Sequence, residues 1–345
     1  MNTLRSLFLA VLFLSACSSP QYLQTVKQEK GDGKYDSEFP AKPTDSYIYT
    51  MSRSIRLISS LTFYRTYSFR KSDLITRDEI NSVDFNIEQR AAVTAITQKP
   101  SSGTATIIFA EQRKVLVLTC AHVVYEPDTM ISYFLEETGG RSQFVQTFSI
   151  KLKQNIHING LPRGENPEII FMDRKKDLAL IGKDLYQSPQ KRLPVFPFKW
   201  GAAKELKWGS FVYLMGFPSG KKMVSTAIVS DPNRSGDHNF LIDASLHRGV
   251  SGGIILALRD GPPHFEWVGI VNALAAQNQY VLRPDPATGI TDLNRNKPYE
   301  GDIFIDRRMS VSYGVTYAIS IEAIRSFIRS AQKRLTLKGF NFSPQ

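Results

Sequence analysis

From Ala91 onward the chain is a succession of short apolar runs broken by turn residues, and this rhythm narrows the available folds more than anything else. The first runs are Ala91 to Thr97, Thr104 to Ala110, Val115 to Thr119, Ile169 to Met172 and Leu178 to Ile181. After a stretch with Pro194, Pro197, Trp200 and Trp208 come Phe211 to Met215, Met223 to Val229, Phe240 to Ile242, Ile254 to Leu258, Trp267 to Val271 and Val315 to Ile319. Many short apolar runs at close spacing predict strands of a barrel or sandwich. Two sets, divided near residue 190, predict two barrels. A single helix is expected at the end: Ser320 can cap it, and Ile321, Ile324, Phe327, Ile328, Ala331 and Leu335 share one face at helical spacing. That stripe reads as core packing.

The chain has 345 residues, 42% of them hydrophobic and 22% charged, which suits a globular protein with one large or two small cores and excludes a disordered one. The net charge of +11 would suit an acidic partner. No nucleic-acid motif accompanies it, so the charge reads as a diffuse solvated surface and no nucleic-acid partner is expected.

The first residues bear on the compartment. Arg5 precedes the apolar run Leu7 to Leu14, and Ser15-Ala16-Cys17 follows. A basic start, a short apolar core and small residues read as a secretion signal, and the run is shorter than the about 20 residues of a spanning helix. Leu14-Ser15-Ala16-Cys17 resembles the bacterial lipobox, which implies cleavage before Cys17, lipid on its thiol and a cell-envelope lipoprotein. Ser18 in the next position implies the outer membrane, facing the periplasm. The expected membrane partner is reached through Cys17, and residues 1–16 would be the signal peptide. With Cys17 lipidated, Cys120 is the other of only two cysteines, so no intramolecular disulfide is expected.

Residues 17–45 are polar, with Gly31-Asp32-Gly33, Pro40 and Pro43, and read as a tether; a flexible coil of that size would span roughly 30 Å. Residues 46–90 read as an N-terminal extension. Its aromatic and basic part, Tyr47 to Lys71, suits either a membrane-surface or substrate-contact element or a segment packed on the main domain, and the need to bury aromatics favours packing. Residues 91–190 form the expected first barrel, 191–335 the second with its helix, and 336–345 a tail. Gln277 to Ser312 has few apolar residues and many turn signals, which suits a functional loop or small subdomain.

Three pieces carry chemistry. Val117-Leu118-Thr119-Cys120-Ala121-His122 is a strand ending in a histidine. Asp177-Leu178-Ala179-Leu180-Ile181 opens an apolar strand with an aspartate. Gly249-Val250-Ser251-Gly252-Gly253 sets a serine in a glycine-rich turn before the run Ile254 to Leu258. Glycines let a backbone approach a ligand closely, and the N–H groups of Gly249 and Ser251 could aim at one point.

In this order the pieces resemble the trypsin-like serine peptidases, and within them the bacterial HtrA branch. Ser102-Gly103-Thr104-Ala105-Thr106-Ile107-Ile108, Leu214-Met215-Gly216-Phe217-Pro218-Ser219-Gly220, Ile242-Asp243-Ala244-Ser245, Gly269-Ile270-Val271-Asn272 and Gly314-Val315-Thr316-Tyr317-Ala318-Ile319 match further family segments, so the resemblance covers about residues 91 to 335. It implies two six-stranded antiparallel Greek-key β-barrels with a C-terminal α-helix. It also implies a serine endopeptidase acting on protein or peptide through an acyl-enzyme, with no cofactor and no metal. By resemblance Ser251 is the nucleophile, His122 the base and Asp177 the residue that orients it, and the Gly249 and Ser251 N–H groups form the oxyanion hole. Ser245 would line the base of the substrate pocket, with Arg248 also lining it and Asn272, Ala273 and Leu274 on the facing strand. With no carboxylate there, a small polar or apolar side chain is expected, and His247 and Arg248 near the serine suit an acidic group.

The chain departs from the family pattern in places. Val250 stands where Asn or Asp is usual, so activation by a freed N-terminus is not expected. The interval from His122 to Asp177 is long, with Asn155 to Asn166 expected in a surface loop. Ten residues follow Leu335, which implies a branch without a PDZ domain. Asp173 competes with Asp177 as the orienting residue, and Cys120 reads as a buried structural thiol. Gly216 to Lys221 lacks a phosphate-loop spacing, and His157, His238 and His264 lack metal-ligand spacing. A catalytically silent peptide-binding protein on the same fold stands as the alternative function.

Overall fold

Strands account for most of the chain, as the apolar rhythm predicts. The computed structural model describes residues 31–136, 140–284 and 303–344, of which 273–280, 283–284 and 303–313 by backbone alone. The elements run α1 (Asp45–Ser52), β1 (Ile55–Ser68), α2 (Arg77–Ile80), α3 (Ile87–Arg90), β2 (Val93–Glu111), β3 (Lys114–Cys120), α4 (Ala121–Val124), β4 (Thr129–Leu135), β5 (Arg141–Ile158), β6 (Glu168–Asp173) and β7 (Leu178–Asp184). They continue with β8 (Lys199–Trp200), β9 (Phe211–Gly216), β10 (Met223–Asp231), β11 (Phe240–Ile242), β12 (Ile254–Leu258), β13 (Phe265–Pro284), β14 (Ile303–Ser320) and α5 (Ile321–Leu337).

The strands form two barrel-like sheets. The first is a seven-stranded half-barrel in the order β4-β5-β1-β2-β3-β7-β6. In the second, β9, β10, β11, β14, β13 and β12 close into a ring through the β12–β13 pairing, and β8 joins the outside of β13 in parallel. The double-barrel, all-β expectation is met; each sheet has one strand more than expected, and the first has no pairing between its β4 and β6 ends among the described residues. Strands buried on both faces are the ones with unbroken apolar sequence. Lys114–Cys120, Phe211–Gly216 and Ile254–Leu258 are buried along nearly their whole length, as expected for strands covered on both sides.

Sequence pattern alone reads 46–90 as an extension, whereas Ile55–Ser68 is an interior strand of the first sheet, paired with β2 on one side and β5 on the other. Its buried positions alternate for most of its length, but Ser, Thr and Tyr occupy many of them, so an apolar count passes over it. Gln277 to Ser312, expected as a loop or subdomain, holds the outer parts of β13 and β14, which pair residue by residue out to Pro284 and Ile303. The stretch Asn155 to Ile158, expected in a loop, closes strand β5.

Helix α5 starts where expected. Ser320 Oγ accepts the Ala323 N–H at 3.0 Å, and the predicted stripe from Ile321 to Leu335 is buried throughout. Phe327 stacks on Phe171 with ring centroids 5.3 Å apart, and burying such a side chain is worth about 2–3 kcal/mol. Residues 33–52 run along the second barrel before the chain enters the first. Tyr35 forms a bridge with Arg259, Phe39 lies edge-on to Phe211, and Tyr47 packs on Phe265.

Candidate active site

His122 sits on the short turn α4 that follows the buried strand β3. That strand pairs with β7 so that Cys120 faces Leu178, which brings Asp177 beside the turn. Asp177 takes a left-handed conformation, φ 54°, tolerated by Asp better than by most residues. Its carboxylate is used at both oxygens: Oδ1 accepts the His122 backbone N–H at 2.8 Å and Oδ2 lies 2.6 Å from His122 Nδ1. The Asp177 carbonyl also accepts the Ala121 N–H at 3.1 Å. The imidazole is therefore held by one edge, with half its surface open, and Nε2 faces elsewhere. Asp173, the competing carboxylate, accepts the N–H groups of Lys175 and Lys176 in the β6–β7 turn and is committed there.

The serine turn is built on its glycines. Gly249 has φ 99° and Gly252 φ 85°. A Cβ on Gly249 would stand 2.5 Å from the Phe217 carbonyl, and one on Gly252 2.1 Å from the Thr104 carbonyl, so neither position admits a side chain. Two carbonyls fix two peptide planes. The Ser219 N–H donates to Arg248 O and the Gly253 N–H to Val250 O, both at 2.7 Å. In a trans peptide C=O and N–H point opposite ways, so the N–H groups of Gly249 and Ser251 point away from those bonds. Among the described residues neither N–H has a protein acceptor. Val250, which sequence comparison marks as unusual, is buried, with Cγ2 3.1 Å from the place a Gly216 Cβ would take.

Thr104 ties this turn to the first sheet. Its N–H donates to Ser251 O at 2.7 Å, its Oγ1 donates to Gly249 O at 3.0 Å, and Oγ1 accepts the Phe217 N–H at 2.9 Å. Its own carbonyl accepts Thr119 Oγ1 at 2.7 Å. Gly103 beside it lies where three segments meet: a Cβ there would be 2.6 Å from Val123 Cγ2 and 2.9 Å from Ser251 O. The residue after His122 and the backbone of Ser251 thus face the same glycine. Among the described residues no hydrogen bond of Ser251 Oγ joins it to His122.

Cys120 is fully buried, and its Sγ donates to Val271 O at 3.3 Å. Burial, reinforced by the nearby Asp177 charge, pushes the thiol well above its ordinary pKa, so it is a packing residue and not a thiolate. Ligand atoms of Cys120, His122 and Asp177 lie within 4.8 Å of one another. The His–Asp pair is already mutually bonded and the thiol is held protonated, so this donor set does not fit a metal ion as it stands.

The pocket residues predicted from sequence are placed in part. Ser245 and Arg248 are exposed and Asn272 is half-buried. Ala273 and Leu274 have their side chains outside the described residues, as has Cys17 altogether. Sequence reasoning assigned no role to Thr104; its signal was the hydroxyl residue following Gly103.

Residues 103–270 match the family model described as trypsin-like peptidase domain. That segment contains His122, Asp177 and Ser251, and the match supports a trypsin-like serine peptidase, a hydrolase of protein or peptide substrates. No curated protein sequence matches the chain.

Proposed function

We propose that this chain is a lipid-anchored serine endopeptidase of the cell envelope, of the HtrA-like branch, that cleaves protein or peptide through a Ser251–His122–Asp177 triad. The observation that carries the reading is the 2.6 Å contact of His122 Nδ1 with Asp177 Oδ2, beside a turn whose two N–H groups are held outward. Asp177 fixes the tautomer that leaves Nε2 as the acceptor and stabilises the imidazolium. Nε2 takes the Ser251 proton as Oγ attacks the scissile carbonyl. The Gly249 and Ser251 N–H groups receive the developing oxyanion, where one donor is typically worth about 10²–10³ in rate. The proton then passes from His122 to the leaving amine, and water repeats the sequence on the acyl-enzyme.

Thr104 supports this reading from the other sheet, since its bonds to Gly249 O and Ser251 O hold the turn on both sides of Val250. Buried Val250 carries no charge to pair with a freed N-terminus, so the hole forms without a zymogen step. Ser245 and Asn272 would shape the pocket for a small side chain. The Leu14-Ser15-Ala16-Cys17 segment supports lipid on Cys17 and an outer-membrane, periplasm-facing location.

The test is a fluorophosphonate probe on the full chain with Ser251→Ala alongside. Labelling of the wild type and none of the variant is expected. A wild type that stays unlabelled would instead support a silent peptide-binding protein. For the anchor, metabolic labelling with an alkyne fatty acid should mark the wild type and not Cys17→Ser; equal labelling of both would sink the lipoprotein reading.

A further inference from the structure

Three cations gather at the end of α1 without an acid among them. Lys222 Nζ donates to the Ser52 carbonyl at 2.8 Å, and Arg56 Nη1 donates to the carbonyls of Arg53 and Ile55. Arg56 Nε is buried and has no hydrogen-bond partner; Gly160 stands next to it, its Cβ position 3.6 Å from that nitrogen. Among the described residues no carboxylate is within ion-pair distance of Arg53, Arg56 or Lys222. Burial, and then the neighbouring Arg53 charge, lowers the Arg56 pKa. Burial, and then the Arg56 charge, does the same for Lys222. The carbonyls at a helix C-terminus amount to about half a negative charge, far short of three full positive ones. Such a cluster is held together against its own repulsion.

Its position matters as much as its charge. Arg56 pairs in register with Ala105, the neighbour of the Thr104 that grips the serine turn. Lys222 lies 5.8 Å over the Phe217 ring, and Phe217 O is the atom against which Gly249 is packed. Ser219, between them, bonds Arg248 O. The cluster therefore adjoins the turn through both sheets.

The geometry points to a carboxylate-binding subsite formed by Arg53, Arg56 and Lys222, which takes an Asp or Glu side chain of a polypeptide substrate held near Ser251. This rests on the peptidase reading and deepens it by naming a substrate class. The donors suit the ligand: the Lys222 ammonium has further hydrogens to give, and the Arg53 and Arg56 guanidiniums set their charge beside it. Three cations gathered without a carboxylate suit one anionic side chain. Lys222 also lines an apolar groove of about 730 Å³, together with Ile48, Tyr49, Met223 and Val224 among others, which offers room for an apolar residue adjoining the acidic one.

The test measures binding to the full-length chain carrying Ser251→Ala, so that turnover plays no part. The probes are a fluorescent tetraglutamate peptide, its tetraglutamine counterpart, and vesicles containing phosphatidylglycerol. Tetraglutamate should bind about tenfold more tightly than tetraglutamine, a preference that weakens with salt. Lys222→Gln, a change on an exposed loop, should weaken the acidic peptide severalfold, and Arg56→Gln with Lys222→Gln should abolish the preference. Arg56→Lys should retain part of it. Lys175→Gln with Lys333→Gln removes the same charge from exposed positions elsewhere and should leave the preference intact. No preference for glutamate, or an equal loss in the remote pair, overturns the subsite. So does binding to vesicles that depends on Arg56 and Lys222 while the peptide does not bind. Fluorophosphonate labelling of the wild type is read separately: labelling with no glutamate preference leaves the peptidase without this subsite, and the converse leaves a binding site without the peptidase.

Discussion

Thr104 donates its backbone N–H to the carbonyl of Ser251 at 2.7 Å, so a strand of the first sheet grips the serine turn of the second barrel. Its hydroxyl adds the bonds to Gly249 O and Phe217 N, and the residue is fully buried. Thr104→Val keeps the shape and removes the hydroxyl, leaving the buried Gly249 carbonyl and the part-buried Phe217 N–H without that partner. The expected cost is about 1–3 kcal/mol of stability, with a slower fluorophosphonate reaction, while Thr104→Ser should restore most of both. Urea unfolding and labelling rates, measured on the same samples, decide it; a Thr104→Val protein equal to wild type in both would refute the role.

Asp177→Asn should leave the fold intact and the serine nearly inert. An amide can no longer accept from both the His122 N–H and a protonated Nδ1, so the ring loses its fixed tautomer. A drop of about 10³–10⁴-fold in the labelling rate is expected, with unchanged circular dichroism. A drop below tenfold would move the orienting role to another residue.

Glycines separate strain from collision. At Gly209, φ 80°, a Cβ would meet nothing within 4 Å, whereas at Gly252, φ 85°, it would lie 2.1 Å from Thr104 O. Gly209→Ala should cost about 1–2 kcal/mol, the left-handed penalty alone. Gly252→Ala adds a backbone collision, and the protein should fail to accumulate in folded form. Thermal unfolding of the two variants side by side makes the comparison; similar midpoints would contradict the packing described.

How far the sequence was legible depended on the kind of signal. Leu178–Ile181, Phe211–Met215 and Ile254–Leu258 announce themselves, because stretches covered on both faces are apolar throughout. The α5 stripe was equally plain. Ile55–Ser68 was not, because its core-facing positions include Tyr64, Thr62, Ser60 and Thr66, and some of these polar residues find partners only across strands, Thr66 with Thr97 and Ser149 and Ser60 with Gln154. No local pattern contains those partners. The pairing of His122 with Asp177 was readable from ordered motifs. The hold of Thr104 on the turn was not, since it joins residues far apart in the chain through a side chain that a strand would ordinarily hide.

Glu266 provides a pH test. Only 4% of it is exposed, and it accepts bonds from Tyr35 Oη at 2.7 Å, Lys199 Nζ at 2.9 Å and Arg259. Burial pushes its carboxyl up, but the bonds from Tyr35, Lys199 and Arg259 and the Arg259 charge outweigh it and hold the group below its ordinary value. A depressed folded value means stability that is fully present above the unfolded pKa of about 4.3 and lost as pH falls through the folded one. Glu266→Gln should therefore lower stability at neutral pH and flatten its acid dependence below about pH 4.5. Urea midpoints from pH 3 to 7 would reveal an unchanged acid slope if this is wrong.

Cys120 should be silent to thiol reagents while the protein is folded. Its burial and raised pKa leave almost no accessible thiolate at neutral pH. In Cys17→Ser protein, Ellman's reagent should detect no thiol in buffer and one in denaturant. A thiol titrating in buffer would show that the β3 end opens readily.

The clasp formed by Tyr35 and Glu266 joins residues 231 positions apart, and it sets an order of events. The segment that leaves the ribosome early finds its partner only after most of the chain has been made. Until then residues 33–52 lack that clasp, and β1, which follows directly, must wait for β2 and β5 as well. Contacts of such long range close slowly. The front end therefore stays slack while the strands that receive it are still being made, and it is fastened late.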